Sequence, residues 1–267
     1  MIMNLIDPHA HLNELTWTNL QEMYLSGIRE IISPIHLDAG KAVGCETIRE
    51  MWDYLFEVQF ARAEKNFLKP YGMIGISMVS TPRGDATGLY ELLPDYLRRP
   101  EVVAIGEIGI EPKSRTCKDV KQQEEIVTRQ LEIATEVDIP VDFHTPNPPD
   151  VKKEFTKRIL ELCRNANLRM SKVIIDHCTE VNMEMVVDAG AWAAISVQPW
   201  RKVTPDLAAD IITEYGFERI MVDSDFGGLP SDHLSVPKTA MALKRKGVSP
   251  ENIEKVCSLN SKAAYGI

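Results

Sequence analysis

The stretch that decides the fold runs from Val102 to His144. It opens with VVAIGEIG (Val102–Gly109), an apolar run of strand length, and ends with IPVDFH (Ile139–His144), a second such run. Between them, VKQQEEIVTRQLEIATEV (Val120–Val137) carries apolar residues at helical spacing. A strand, a helix and another strand in this order predict a βαβ unit with parallel strands.

The same alternation extends along the whole chain. Eight strand-like runs are predicted at Leu5–His11, Ile28–Ile35, Tyr71–Val79, Val102–Gly109, Ile139–His144, Lys172–His177, Trp192–Val197 and Arg219–Asp225. Because eight parallel strands close a barrel, we predict an α/β protein with one (β/α)8 TIM-barrel domain over residues 1–267. A doubly wound open sheet is the alternative, although no glycine-rich phosphate loop follows the first strand.

Longer segments with helical periodicity separate the strands. The predicted helices include Thr47–Lys65, Val120–Val137, Val151–Asn165, Asn182–Ala189, Pro205–Tyr215 and a closing helix at Pro250–Tyr265. The length of 267 residues fits a single barrel, since this fold typically needs about 250 residues.

Composition narrows the class of protein. The net charge of −9 argues against constitutive nucleic-acid binding, but bound divalent cations would reverse the local field, so a nuclease stays open. The five cysteines are scattered without a CxxC pair, which favours a reducing cytoplasm over a disulfide framework. With no apolar stretch of membrane-spanning length, we expect a cytoplasmic protein without a membrane partner.

Histidines and acids gather at one end of the predicted strands, where barrel enzymes place their chemistry. The candidate metal ligands are His9, His11, Glu107, His144, His177 and Asp225. Strand side chains alternate sides, so His9 and His11 should point the same way. Imidazole and carboxylate without thiolate suit a catalytic zinc or manganese site, and this many ligands predict two ions that share a carboxylate.

The motifs resemble the TatD-like branch of the amidohydrolase superfamily over nearly the whole chain. The matching segments are IDPHAHL (Ile6–Leu12), AIGEIGI (Ala104–Ile110), IPVDFH (Ile139–His144), IIDHC (Ile174–Cys178), MVDSD (Met221–Asp225) and NSKAAYG (Asn260–Gly266). The GEIG motif is the most specific of these, because related barrels often carry a carbamylated lysine on that strand.

The resemblance implies a ligand set and a reaction. One ion would be held by His9, His11, Glu107 and Asp225, and a second by Glu107, His144 and His177, with Glu107 as the bridge. A metal-bound water or hydroxide would attack a phosphoester bond, with nucleic-acid phosphodiesters among the candidate substrates and Asp225 as the base. We predict one or two divalent cations, with zinc ahead of manganese, magnesium and cobalt, and a small-molecule or oligonucleotide substrate.

The chain departs from this family around the substrate. Ser77 stands where TatD-like nucleases carry a histidine, Glu111 follows the fourth strand where an aspartate is usual, and Thr179-Glu180-Val181 replaces the residues that usually follow the sixth-strand histidine. A lactonase or cyclic-amide hydrolase is therefore an enzymatic alternative, and a metal-binding scaffold without turnover is the non-enzymatic one.

Residues outside the ligand set have weaker assignments. Candidate substrate contacts are Arg201, Lys202, Ser77 and His233. Asp223 lies one layer deeper than Asp225 and should support the ligands. By strand alternation, Asp176 should point away from the barrel axis and serve only the structure.

Overall fold

A computed structural model describes residues 4–35, 43–227 and 230–267. The strands are β1 (Leu5–Asp7), β2 (Ile28–Pro34), β3 (Lys69–Met73), β4 (Val102–Gly109), β5 (Val141–His144), β6 (Val173–Ile175), β7 (Trp192–Ser196) and β8 (Ile220–Asp223). All belong to one sheet in chain order, and each pairs in parallel with the next. The predicted barrel is confirmed.

The barrel closes between β1 and β8 just beyond the ends of both strands. Ala10 and Phe226 form a parallel bridge there. The His11 amide donates to the Phe226 carbonyl at 2.8 Å, and the Asp225 amide donates to the His9 carbonyl at 2.9 Å. The backbone of His9, His11 and Asp225 therefore helps to form the seam between β1 and β8.

The helices follow the strands as a TIM barrel requires. They are α1 (Trp17–Leu25), α2 (Cys45–Tyr54), α3 (Phe60–Glu64), α4 (Thr87–Leu97), α5 (Val120–Val137), α6 (Pro149–Asn165), α7 (Met183–Asp188), α8 (Pro205–Tyr215), α9 (Ser235–Arg245), α10 (Pro250–Glu254) and α11 (Asn260–Tyr265). Short π-helical turns at Leu55–Gln59 and Lys255–Leu259 join α2 to α3 and α10 to α11, and a 3-10 turn at Met170–Lys172 precedes β6. None of the helices in the described ranges is long and apolar enough to traverse a bilayer.

Local capping explains why α5 and α8 match the predicted bounds. The Asp119 side chain accepts from the Lys121 amide at the start of α5, and Asp138, which follows the last residue of α5, adopts a left-handed conformation. Thr204 caps α8, and Pro205 occupies its first turn. These signals are local in sequence, so the sequence was sufficient to place both helices.

The apolar core has two layers, because successive strand residues face opposite sides. Ile31, for example, joins the large cluster between the strands and the helices, whereas its neighbour Ile32 joins a smaller cluster. The smaller cluster contains Met73, Ala104, Ile174, Ala194 and Met221, so it draws on β3, β4, β6, β7 and β8. This smaller cluster lies in the barrel interior, and the polar groups lie at the carboxyl ends of the strands.

Every predicted strand except β4 extends beyond the observed one, and β1 and β3 differ most from the prediction. β1 ends at Asp7 rather than His11, because the Asp7 side chain accepts from the His9 amide in place of a neighbouring strand. β3 runs from Lys69 to Met73 rather than from Tyr71 to Val79. Beyond β3, the Gln130 side chain of α5 bonds both the amide and the carbonyl of Ile76, which takes that backbone out of the sheet.

Candidate metal centre

Glu107, His144 and His177 form a compact group at the mouth of the barrel, which we call the second group. Glu107 Oε1 lies 3.2 Å from His144 Nδ1 and 3.1 Å from His177 Nε2. The two imidazole nitrogens are 3.0 Å apart. These three atoms form a nearly equilateral triangle, close to the separation of about 3.3 Å between ligands 2.0–2.1 Å from a tetrahedral zinc.

His9, His11 and Asp225 form the first group across the barrel seam. Asp225 Oδ1 lies 3.6 Å from His11 Nε2 and 3.9 Å from His9 Nε2. The other Glu107 oxygen, Oε2, lies 3.8 Å from His9 Nε2. Glu107 thus turns one oxygen towards each group, as the predicted bridging carboxylate would.

Backbone geometry places these side chains. Glu107 lies within β4 and His144 ends β5, whereas His177 and Asp225 follow β6 and β8. Both have positive φ, 58° at His177 and 42° at Asp225. Non-glycine residues rarely adopt this conformation, and where they do they often serve a site.

Two glycines clear space for the histidines. A Cβ on Gly227 would lie 2.8 Å from the Cβ of His11, and a Cβ on Gly109 would lie 2.7 Å from the carbonyl oxygen of His144. Both glycines also have positive φ, 155° at Gly227 and 150° at Gly109. A side chain at either position would push a histidine out of place.

Three of the imidazoles contact a polar side chain through the ring nitrogen that faces away from the other members of their group. His144 Nε2 lies 3.3 Å from Glu111 Oε2, and His177 Nδ1 lies 2.6 Å from Ser196 Oγ. His9 Nδ1 lies 2.5 Å from Asp176 Oδ2. Such outer partners fix which nitrogen of a histidine is available to a metal.

The prediction that Asp176 points away from the axis was wrong. β6 ends at Ile175, so strand alternation no longer governs the next residue. Asp176 is fully buried against His9. Glu111 was predicted only as a departure from the family, and Ser196 was not predicted at all. Both lie near the ends of strands, where the metal ligands were expected.

Burial and charge set the ionisation of the acids. Burial would raise the pKa of Glu107, but the charge on His9 and hydrogen bonds from the second-group imidazoles hold that pKa well below its usual range. Burial opposes ionisation of Asp225 too, and nearby Lys202 and His177 outweigh it, so the pKa of Asp225 is also well below its usual range. Both acids are therefore carboxylates at neutral pH, the form that binds a cation.

The donor set fits divalent cations. Within each group the ligand atoms lie within 4.8 Å of one another. Neither ring nitrogen of His9 has a hydrogen bond among the described residues, although Nδ1 lies 2.5 Å from Asp176 Oδ2, while Nε2 faces Glu107 and Asp225. A buried ring nitrogen without a partner is costly, and a cation between it and the two facing carboxylates would remove that cost.

The sequence profile of the TatD-related DNase family matches residues 6–266. The chain belongs to this family. The resemblance drawn from its motifs is thereby confirmed.

Relatives of this TatD-family chain extend the comparison. An uncharacterised metal-dependent hydrolase from Methanocaldococcus jannaschii is 30% identical over 261 residues, which cover 98% of this chain and 99% of the relative. The solved TatD-like protein from Archaeoglobus fulgidus has a TM-score of 0.78 at 27% identity and covers 98% of this chain and 100% of its own. A TatD homologue from Escherichia coli K12, at 18% identity, TM-score 0.70 and full coverage of both chains, shows the fold alone.

A cavity of about 270 Å³ opens onto both groups of this TatD-family chain. Arg201 and Lys202 line it, as do Glu14, Glu111 and Asn147. The Lys202 ammonium lies 2.6 Å from Asp225 Oδ2. Gln198 donates to the same oxygen at 2.9 Å, so this pair leaves Asp225 Oδ1 facing the histidines.

The other two candidate substrate contacts lie away from this cavity. Ser77 is buried, donates to Met78 Sδ and accepts from the Val79 amide, while its neighbours Met78 and Val79 line the cavity. His233 contacts Glu22 at 2.6 Å and is not among the described lining residues. The structure therefore brings Arg201 and Lys202 to the site but not Ser77 or His233.

Asp223 lies below the ligands, as expected, but contacts none of them through the described hydrogen bonds. It is fully buried, and neither carboxylate oxygen has a hydrogen-bond partner among the described residues. Burial, with Asp176 nearby, raises the pKa of Asp223 well above its usual range. Burial therefore favours the neutral form of this carboxyl group, which costs less to bury than the charged form.

Proposed function

We propose that this metal-dependent hydrolase of the TatD family binds two divalent cations and cleaves phosphoester bonds in small anionic substrates or at the ends of oligonucleotides. The observation that carries the proposal is Glu107, whose two oxygens face two separate donor groups. Zinc suits the imidazole and carboxylate ligands best, with manganese, magnesium or cobalt as alternatives. When bound, such cations supply Lewis acidity and lower the pKa of water to about 7.

The cavity supports an anionic substrate of limited size. Its volume of about 270 Å³ would admit a small molecule or a terminal nucleotide rather than a duplex. Arg201 is exposed on its wall and would bind a phosphate oxygen. The net charge of −9 favours transient binding at this site over constitutive nucleic-acid binding.

Asp225 is proposed to take the proton from the attacking water. Its contact with Lys202 lowers the pKa of the Asp225 carboxyl, which opposes that role in the free protein. Lys202 also lines the cavity, so an anionic group entering there would draw its ammonium away from Asp225. Substrate binding and the basicity of Asp225 would then be linked through one lysine.

The cysteines support a reducing location. Cys45, Cys117, Cys163, Cys178 and Cys257 are all free thiols. We retain the cytoplasm as the proposed location on that ground, because disulfides are rare there.

The test is turnover by metal-stripped protein reloaded with zinc, manganese or cobalt. We expect hydrolysis of bis-p-nitrophenyl phosphate in preference to p-nitrophenyl esters and lactones. Asp225→Asn should lower turnover by about 100- to 10,000-fold, the range typical of a lost general base, with a smaller effect on metal content. The exposed Asp138→Asn, at a surface ion pair, is the matched control.

Three results would contradict parts of this proposal. Faster cleavage of lactones than of the diester would move the substrate class to the lactonases. An Asp225→Asn variant with undiminished turnover would remove Asp225 as the base. Full metal loading without turnover of any substrate in the panel would favour a metal-binding scaffold.

A further inference from the structure

Asp176 lies between the two donor groups and is fully buried. Its Oδ2 is 2.5 Å from Nδ1 of His9, a member of the first group. Its Oδ1 accepts from the His177 amide at 2.6 Å and from the Ser196 hydroxyl at 2.8 Å. Ser196 Oγ in turn lies 2.6 Å from Nδ1 of His177, a member of the second group.

Proton counting fixes the direction of this chain of contacts. A serine hydroxyl has one hydrogen, and that of Ser196 goes to Asp176. Ser196 can therefore only accept from His177, which places a proton on His177 Nδ1 and makes Nε2 the nitrogen that a cation would bind. Asp176 can likewise only accept from His9 Nδ1, so His9 Nε2 is the nitrogen available to a ligand.

Nε2 of both histidines faces Glu107, the residue that the two groups share. His177 Nε2 lies 3.1 Å from Glu107 Oε1, and His9 Nε2 lies 3.8 Å from Glu107 Oε2. The Asp176 carboxylate thus orients one histidine of each group, His9 by direct contact and His177 through Ser196. We propose that Asp176 is a positioning residue shared by both cation sites, which holds His9 and His177 in the tautomers that bind metal.

A direct role of Asp176 as a third-site ligand fits less well. His9, Glu107 and Asp176 do form a third set of donor atoms within 4.8 Å of one another. However, the 2.5 Å between His9 Nδ1 and Asp176 Oδ2 is shorter than the separation of about 3.3 Å between two ligands of a tetrahedral zinc. That distance indicates direct contact between the two side chains.

Neighbouring buried acids do not share this arrangement. Asp142 accepts from the Tyr265 hydroxyl at 2.6 Å, and Asp7 accepts from the backbone amides of Ser224 and His9. Both are buried to the same degree as Asp176, but neither has a described contact with an imidazole nitrogen. Asp142 is therefore a matched control for removing a buried carboxylate from this layer.

The proposal rests on the two-cation centre, and its test separates the two claims. Zinc binding to stripped protein is measured by calorimetry, with metal content checked after dialysis. Asp176→Ala should weaken the binding of both cations by about 10- to 100-fold, whereas Ser196→Ala should weaken the binding of only one cation to that extent. Asp142→Ala should change each affinity by less than Asp176→Ala does.

A second measurement follows the imidazoles themselves. In ¹⁵N-histidine spectra, wild-type protein should show hydrogen-bonded Nδ1–H signals from His9 and His177, with and without zinc. Ser196→Ala should lose or shift the His177 signal alone. Asp176→Asn, which keeps the side-chain shape, should disturb at least one of the two, because an amide nitrogen cannot accept where a carboxylate oxygen did.

The outcomes distinguish the claims. If wild-type protein binds fewer than two cations, the proposed centre fails, while the Nδ1–H signals still test Asp176. If wild-type protein binds two and Asp176→Ala affects one or neither, the shared role is overturned. Should Asp176→Ala fail to fold, an Asp176→Asn variant with both Nδ1–H signals unchanged would overturn it instead.

Discussion

The two donor groups share Glu107 but differ in how closely their atoms are gathered. Separations in the second group are 3.0–3.2 Å, whereas those across the seam in the first group are 3.6–3.9 Å. The second group comes from β4, β5 and β6, which pair in sequence, with Gly109 opposite His144. The first group spans β1 and β8, which meet at the single bridge Ala10–Phe226 among the described residues.

This difference indicates that pairing between neighbouring strands preorganises the second group more than the first. Consecutive hydrogen-bonded strands fix the spacing of the second group before any cation arrives. A cation in the first group would have to draw its ligands together across the seam, which costs free energy on binding. We therefore expect the second group to bind the tighter of two cations.

The largest effect should come from removing the shared carboxylate. Glu107→Ala takes an oxygen from each group, so both cations should bind more than about 100-fold more weakly, beyond the range typical of outer partners. Calorimetric titration with zinc measures this. Glu101→Ala, at an exposed position just before β4, is the control. A variant that kept one cation at full affinity would show that Glu107 is not the bridge.

Removing one histidine from each group should separate the sites. His144→Ala should lower the bound metal by about one ion per chain and leave the weaker site occupied. His11→Ala should also lower it by about one ion but retain the tighter site. Metal content after dialysis, with the affinity of the remaining ion, checks both. Unchanged stoichiometry in His144→Ala would refute the two-ion arrangement.

The smallest effect should come from Glu111. Its carboxylate meets His144 Nε2, so Glu111→Ala should weaken only the tighter cation, by about 10-fold. The effect stays at the low end because the Glu111 side chain is 22% exposed and water can replace it. Glu14→Ala, at another acid that lines the cavity, should leave that affinity unchanged. Equal losses in both variants would indicate a general charge effect.

The sequence predicted the elements whose signals are local. β4 and α5 have the predicted bounds, because a β-branched run and a capped amphipathic helix need no distant partner to be recognised. β3 was misjudged because Gln130, far away in the chain, takes the backbone of Ile76 out of the sheet. His9 and His11 do lie in the same group, although they follow β1 rather than belonging to it.

Residue types and strand order were enough to name the barrel, the family and the side chains gathered at its mouth. Parallel strands bring their carboxyl ends to one face whatever the loops do. Packing decided which nitrogen of each histidine faces the centre. It also decided that Asp176 contacts His9 and that Lys202 contacts Asp225. Those contacts join segments far apart in the chain just past the ends of strands, where the two-residue periodicity stops and sequence spacing no longer gives direction.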